Sequence, residues 1–195
     1  MSRGSIEEPE AFMDPHDGGE DGEFAECLEA ARALLSGNED TSDLWEANDL
    51  VNRALACAPQ SVDAWLVKAQ ILSALGDDTA GLACVEMVLR RHPKTAEAHY
   101  WHTAILADLE RWDEALRSVE RAFRVTGPED EWLIEDLFYE KGVILDTMGR
   151  PEAAIATFQA GLLRCPESAL LKAGLEPLHR ERVRRRFKVI PGGRA

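Results

Sequence analysis

Residues 59–93 read PQSVDAWLVKAQILSALGDDTAGLACVEMVLRRHP. Within them Leu66, Ala69, Leu72 and Leu75 recur every three positions, the spacing of one apolar helix face. Gly76 marks a turn, and a second helical stretch follows with the small Gly81 and, one turn later, Val85. Pro93 closes the segment, since proline lacks an N–H and biases the preceding residue away from helix. The stretch is therefore a helical hairpin bounded by prolines.

The hairpin repeats. Pro59 and Pro93 stand 34 residues apart, as do Ala47, Gly81 and Ala115, and Val51, Val85 and Val119 follow each small residue by four. A fourth copy carries Ala154, Phe158, Gly161 and Pro166, displaced by 39, which puts five extra residues near 126–132. The small residue lets the second helix approach the first, and the bulky one a turn later fills the space beside it. No window alternates like a strand. A lone hairpin leaves an apolar face uncovered, so stability must come from stacking neighbours and a terminal cap. Residues 168–187 read as that cap, with Leu171, Leu175, Leu178 and Val183 facing inward and Pro177 kinking it or starting a second short helix.

This pattern resembles the tetratricopeptide repeat (TPR) family over residues 24–167. The second unit supplies Trp65, Gly76, Gly81, Val85, Val88 and Pro93; the fourth supplies Phe138, Gly142, Gly149, Ala154, Phe158, Gly161 and Pro166. The third departs from it, with His99 in the aromatic place, Glu110 at the turn and Gly127-Pro128 for the lone proline. The first keeps Ala47, Val51, Ala54 and Pro59, but a polar loop over 36–43 separates its opening helix, 24–35, from the next. The resemblance implies an all-α solenoid of about four TPR-like hairpins with a C-terminal capping helix. The expected organisation is an acidic disordered arm over 1–23, the repeat domain over 24–167, the cap with a basic end over 168–188, and a flexible tail over 189–195.

The resemblance further implies that the first helix of each hairpin lines a concave groove that holds peptides. Projected onto this chain, that face carries Asp63, Leu66, Val67, Gln70 and Ser73, then Glu97, Tyr100, Trp101, Ala104 and Asp108, then Asp136, Tyr139, Glu140, Val143 and Asp146. An acidic groove with three aromatics suits a peptide bearing Arg or Lys plus an apolar anchor. The plain alternative is that Trp101 and Tyr139 pack against the next hairpin and the carboxylates are solvated. Some family members grip a C-terminal carboxylate with Lys, Asn and Arg; Asp63, Glu97 and Trp101 at the corresponding places would repel one.

Charge sharpens this. The 195 residues carry 36 acidic and 22 basic side chains, a net of −14, which argues against duplex nucleic acid as the default partner. Residues 1–29 hold a net of −9, while residues 172–195 hold +6. The basic end, with Arg180, Arg182, Arg184, Arg185, Arg186 and Lys188, is an alternative site for an anionic partner such as RNA, a ribosome, a membrane surface or an acidic protein. Its bland reading is that cations complement a helix C-terminus or pair with the acidic arm. His99 and His102, one turn apart, sit at interior repeat positions and read as packing rather than a metal pair. Lys68, His102 and Lys141 occupy equivalent places in successive units, either a polar ladder that acids such as Asp136 could pair with or simply snorkelling stems. No phosphate-cradling loop, nucleophile elbow or His-Glu-x-x-His stretch occurs, so neither an active site nor a cofactor is expected. No apolar run reaches the ~20 residues of a membrane helix, and the first ten residues lack the pattern of a secretory signal. Four dispersed cysteines fit reduced thiols in a cytoplasm. The expected function is a non-enzymatic adaptor, with a structural subunit that self-associates as a further alternative.

Overall fold

The computed structural model describes residues 19–37 and 40–188, with side chains over 22–37 and 40–182; residues 1–18 of the arm expected over 1–23, and the tail over 189–195, lie outside the described residues. Among the described residues there are nine α-helices, one 3-10 helix and no strand. Two compact units divide the chain, residues 1–64 and 65–195.

The first unit pairs α1 (Gly19–Gly37) with α2 (Thr41–Cys57). Cys27, Leu28 and Ala31 are buried on α1; Leu44, Ala47, Val51, Ala54 and Leu55 are buried on α2. The helix expected over 24–35 starts earlier, at Gly19. Arg53 of α2 ties that start down through Glu23, 2.8 Å away. The polar loop is shorter than expected, because the Asp40 carboxylate accepts the Ser42 N–H at 3.0 Å and caps α2 from Thr41 onward.

In the second unit, α3 (Val62–Ala74, from Trp65 onward) is followed by α4 (Asp78–Arg91), and α5 (Ala96–Asp108) pairs with α6 (Trp112–Val125). Then α7 (Ile134–Thr147) pairs with α8 (Pro151–Arg164), and α9 (Ala169–Lys188) covers α7 and α8. The period is visible in the packing. Ala115 and Ala154 are fully buried, as are Val85, Val119 and Phe158 one turn on. At Gly81 a Cβ would come 3.0 Å from the Ala69 carbonyl, a tight contact that the bare backbone avoids where α4 lies close to α3. In the last hairpin the aromatic ring of Phe158 fills the space left by two glycines: a Cβ on Gly142 would overlap it, and one on Gly174 of α9 would come within 2.8 Å.

The three hairpin turns of the second unit are closed in the same way. Gly76, Glu110 and Gly149 have φ of 82°, 57° and 71°, and the next residue's N–H reaches back to Leu72, Leu106 and Leu145 respectively. Two of these positions use glycine, which adopts a positive φ freely; Glu110 holds it against a steric penalty. The five-residue insertion forms a 3-10 turn, Pro128–Leu133, that buries Leu133, leaves Trp132 61% exposed and is closed by the Gly127 N–H donating to the Asp130 carboxylate at 3.1 Å. α9 runs through Pro177 as one helix, so no second helix starts there. Its buried Leu171 and half-buried Leu175 and Leu178 face Phe158 and Leu145, as expected of a cap.

Candidate functional site

Helix α5 shows how one element serves two surfaces. Glu97, Tyr100, Trp101 and Asp108 recur at helical spacing along one stripe, while His99, His102 and Thr103 occupy another. The Tyr100 and Trp101 rings meet edge to face, 5.0 Å between centroids, and the Trp101 indole N–H donates to Glu97 Oε1 at 3.3 Å. From α7 come Asp136 and Glu140. Burial and the charges of Asp108 and Asp136 push the Glu140 carboxyl above its ordinary range; burial also raises Asp108, helped by Asp78, and Asp136, helped by Glu135. The Tyr100 phenol is raised by burial and by Glu140 and Asp136. Glu140 thus feels the negative potential of Asp108 and Asp136, and Tyr100 that of Glu140 and Asp136, and no cation pairs with Asp108, Asp136 or Glu140 among the described residues.

Other residues projected onto this face are placed differently. Leu66 and Val67 are 1% and 3% exposed: α3 is apolar around most of its circumference, so these two belong to the core and not to a groove. Gln70 remains half-buried on α3. Asp63 lies in the first unit, 3.6 Å from Arg32. Tyr139 packs partly into the last hairpin, its ring 6.1 Å from that of Phe158. Asp146 is exposed at the end of α7, beside Leu178 and Arg182 of α9. At the basic end Arg180 lies 3.9 Å from Glu176 and Arg182 is exposed; the side chains of Arg184, Arg185, Arg186 and Lys188 lie outside the described residues.

The polar ladder pairs with other acids than the one expected. Lys141 Nζ reaches Glu120 Oε1 at 3.5 Å and sits over the Phe123 ring; it does not pair with Asp136. His102 Nε2 stands 4.0 Å from Glu86 Oε1. Glu86 and Glu120 are themselves 34 residues apart, a signal that was there to be found. Lys68 lies 5.3 Å from the Trp65 ring. His99 is an interior residue whose Nε2–H donates to the Pro93 carbonyl at 3.0 Å. The Ser118 hydroxyl donates to the His99 carbonyl at 3.1 Å, so its oxygen accepts the His102 Nδ1–H at 2.9 Å. Burial, His99 and nearby arginines lower His102 to about 4, and it is neutral at pH 7. A second surface that sequence reasoning missed lies on this side, where Arg90, Arg121 and Arg124 surround the two histidines.

Among the described residues no three His, Cys, Asp or Glu side chains gather to hold a metal, no helix is long and apolar enough to cross a membrane, and no disulfide joins any of the four cysteines. No family model and no curated protein matches the sequence. Solved structures do match in fold. A Pseudomonas aeruginosa pilF structure aligns with a TM-score of 0.71 at 18% identity, over 84% of this chain and 71% of its own. The MamA protein aligns at 0.62 and 14%, over 82% of each chain. TTC0263, a thermophilic TPR protein of Thermus thermophilus, aligns at 0.58 and 19%, over 80% of this chain and 91% of its own.

Proposed function

On a chain with the tetratricopeptide-repeat fold, we propose that the face built by α5 and α7 captures a peptide bearing Arg or Lys beside an apolar anchor, making the protein a non-enzymatic adaptor. The observation that carries this reading is the set of three carboxylates, Asp108, Asp136 and Glu140, held together without a cation beside the Tyr100–Trp101 pair. The half-buried Asp136 and Glu140 are incompletely solvated, and with the exposed Asp108 nearby the carboxylates repel one another. An incoming guanidinium or ammonium relieves both penalties at once, and attraction at a half-buried site is stronger than on open surface. The aromatic pair then offers ring faces to the cation or a platform to the anchor. Four cysteines without a disulfide support a reducing, cytoplasmic setting.

The test is titration of the full chain with a short peptide of alternating Arg, Lys and Leu. Trp101→Ala should weaken binding about thirtyfold, the loss of one hot-spot residue at roughly 2 kcal/mol. Unchanged affinity in a variant that keeps its helical circular dichroism contradicts the reading. Retention of all binding by Trp101→Ala, with its loss on deleting residues 179–195, would select the basic end instead.

A further inference from the structure

On the side of α5 away from the acidic face, α4, α5 and α6 enclose an open cleft of about 490 Å³, within the range of small-ligand sites. Its walls include Leu89, Pro93 and Val125, and its charged lining is Arg90, Arg121 and Arg124 against a single carboxylate, Glu86. None of the three guanidiniums has an ion-pair partner among the described residues, in a chain where acids outnumber bases by 36 to 22. Three such arginines converging in so acidic a molecule form an anion trap by composition as well as by place.

The floor carries no charge of its own. His99 is only 6% exposed, its Nε2–H is committed to Pro93, and its buried Nδ1 has no partner. His102 likewise gives its Nδ1–H to Ser118 and turns Nε2 toward Glu86. Both rings are held neutral, by burial first and by the neighbouring arginines besides. With the imidazoles neutral, three positive charges face one negative, and two remain unbalanced. A carboxylate would neutralise one of them; a phosphoryl dianion neutralises both and offers oxygens to more than one guanidinium fork. The negative charge of the remaining molecule disfavours long polyanions such as duplex nucleic acid.

We propose that the cleft between α4, α5 and α6 is a binding site for a phosphoryl group, clamped by Arg90, Arg121 and Arg124 over His99 and His102. The group can belong to a free small molecule or to a phosphorylated side chain. The site is separate from the acidic face and does not depend on the reading given for it.

Sodium pyrophosphate, titrated into the full-length protein at constant ionic strength and followed by NMR, tests this. Saturable shifts are expected at the ring signals of His99 and His102 and at the Nε–H signals of the three arginines. Arg121→Gln with Arg124→Gln should weaken binding at least tenfold, while Glu86→Gln, which removes the opposing charge, should tighten it several-fold. A phosphoserine peptide that binds better than pyrophosphate at the same signals identifies a presented phosphoryl group; the reverse order identifies a free one. Shifts linear in concentration overturn the proposal. So do equal affinities in both variants, saturable shifts confined to residues 180–188, or equal binding of an unphosphorylated Glu-rich peptide.

Discussion

The two sides of α5 are built from one scaffold and carry opposite charge problems. Toward α7, carboxylates crowd together and are held above their ordinary pKa; toward α4 and α6, histidines are held below theirs among arginines that lack ion-pair partners among the described residues. Each side keeps charges that folding alone does not require. The helical core between them, Ile105 and Leu106 on α5 with Val85, Val119 and Leu137 around it, is apolar and buried. Stability therefore resides in the repeat packing, and the two surfaces draw on it.

The largest effect should come from damaging that shared packing. Phe158→Ala empties the space between Gly142 and Gly174 and should cost about 3–5 kcal/mol, seen as a fall in the denaturant midpoint. If binding at both faces of the surviving folded fraction persists, scaffold and surfaces separate as described.

Acid should then tell the faces apart. The His102 pKa is depressed in the folded state, so the stability it contributes is present above about 6.5 and is lost as pH falls toward about 4, by up to roughly 3 kcal/mol. The raised carboxyls of Asp108, Asp136 and Glu140 have the opposite sign. Their contribution is fully present below the ordinary carboxylate range and is lost as pH rises through the shifted values. In thermal melts across pH 4–7, His102→Leu should flatten the acid loss, whereas Asp136→Asn should steepen it. The same slope in both variants would erase the distinction between the faces.

A smaller effect isolates the backbone. Glu110→Gly relieves the one non-glycine positive φ among the described residues and should stabilise by about 1 kcal/mol, with no change in binding at either face. No gain in melting temperature would mean that the turn is not strained.

How much of this was legible in the sequence follows from what each feature depends on. The buried ladder of Ala47, Ala115 and Ala154 with Val51, Val119 and Phe158 was readable because the fold itself repeats, and one local rule governs every copy. The insertion near 126–132 was readable as a break in that period and is the 3-10 turn. Leu66 was misplaced because a register borrowed from repeat positions says which way a residue points, and α3 is covered on more sides than one. The early start of α1 was missed because Gly19 and Gly22 weigh against helix, while acids at its first turn weigh for it. On the acidic face, residue type was readable, but whether a cation among the described residues pairs with each acid is a tertiary fact. The arginine cleft draws on three helices, and only the 34-residue spacing of Arg90 and Arg124 hinted at it.

If the acidic face is tuned for a cation and not for stability, Glu140→Gln shows it most directly, with melting temperature and affinity for the Arg-Lys-Leu peptide measured on the same sample. The expected result is a protein that melts higher and binds the basic peptide several-fold more weakly. A variant that melts lower, or binds with unchanged affinity, would contradict it.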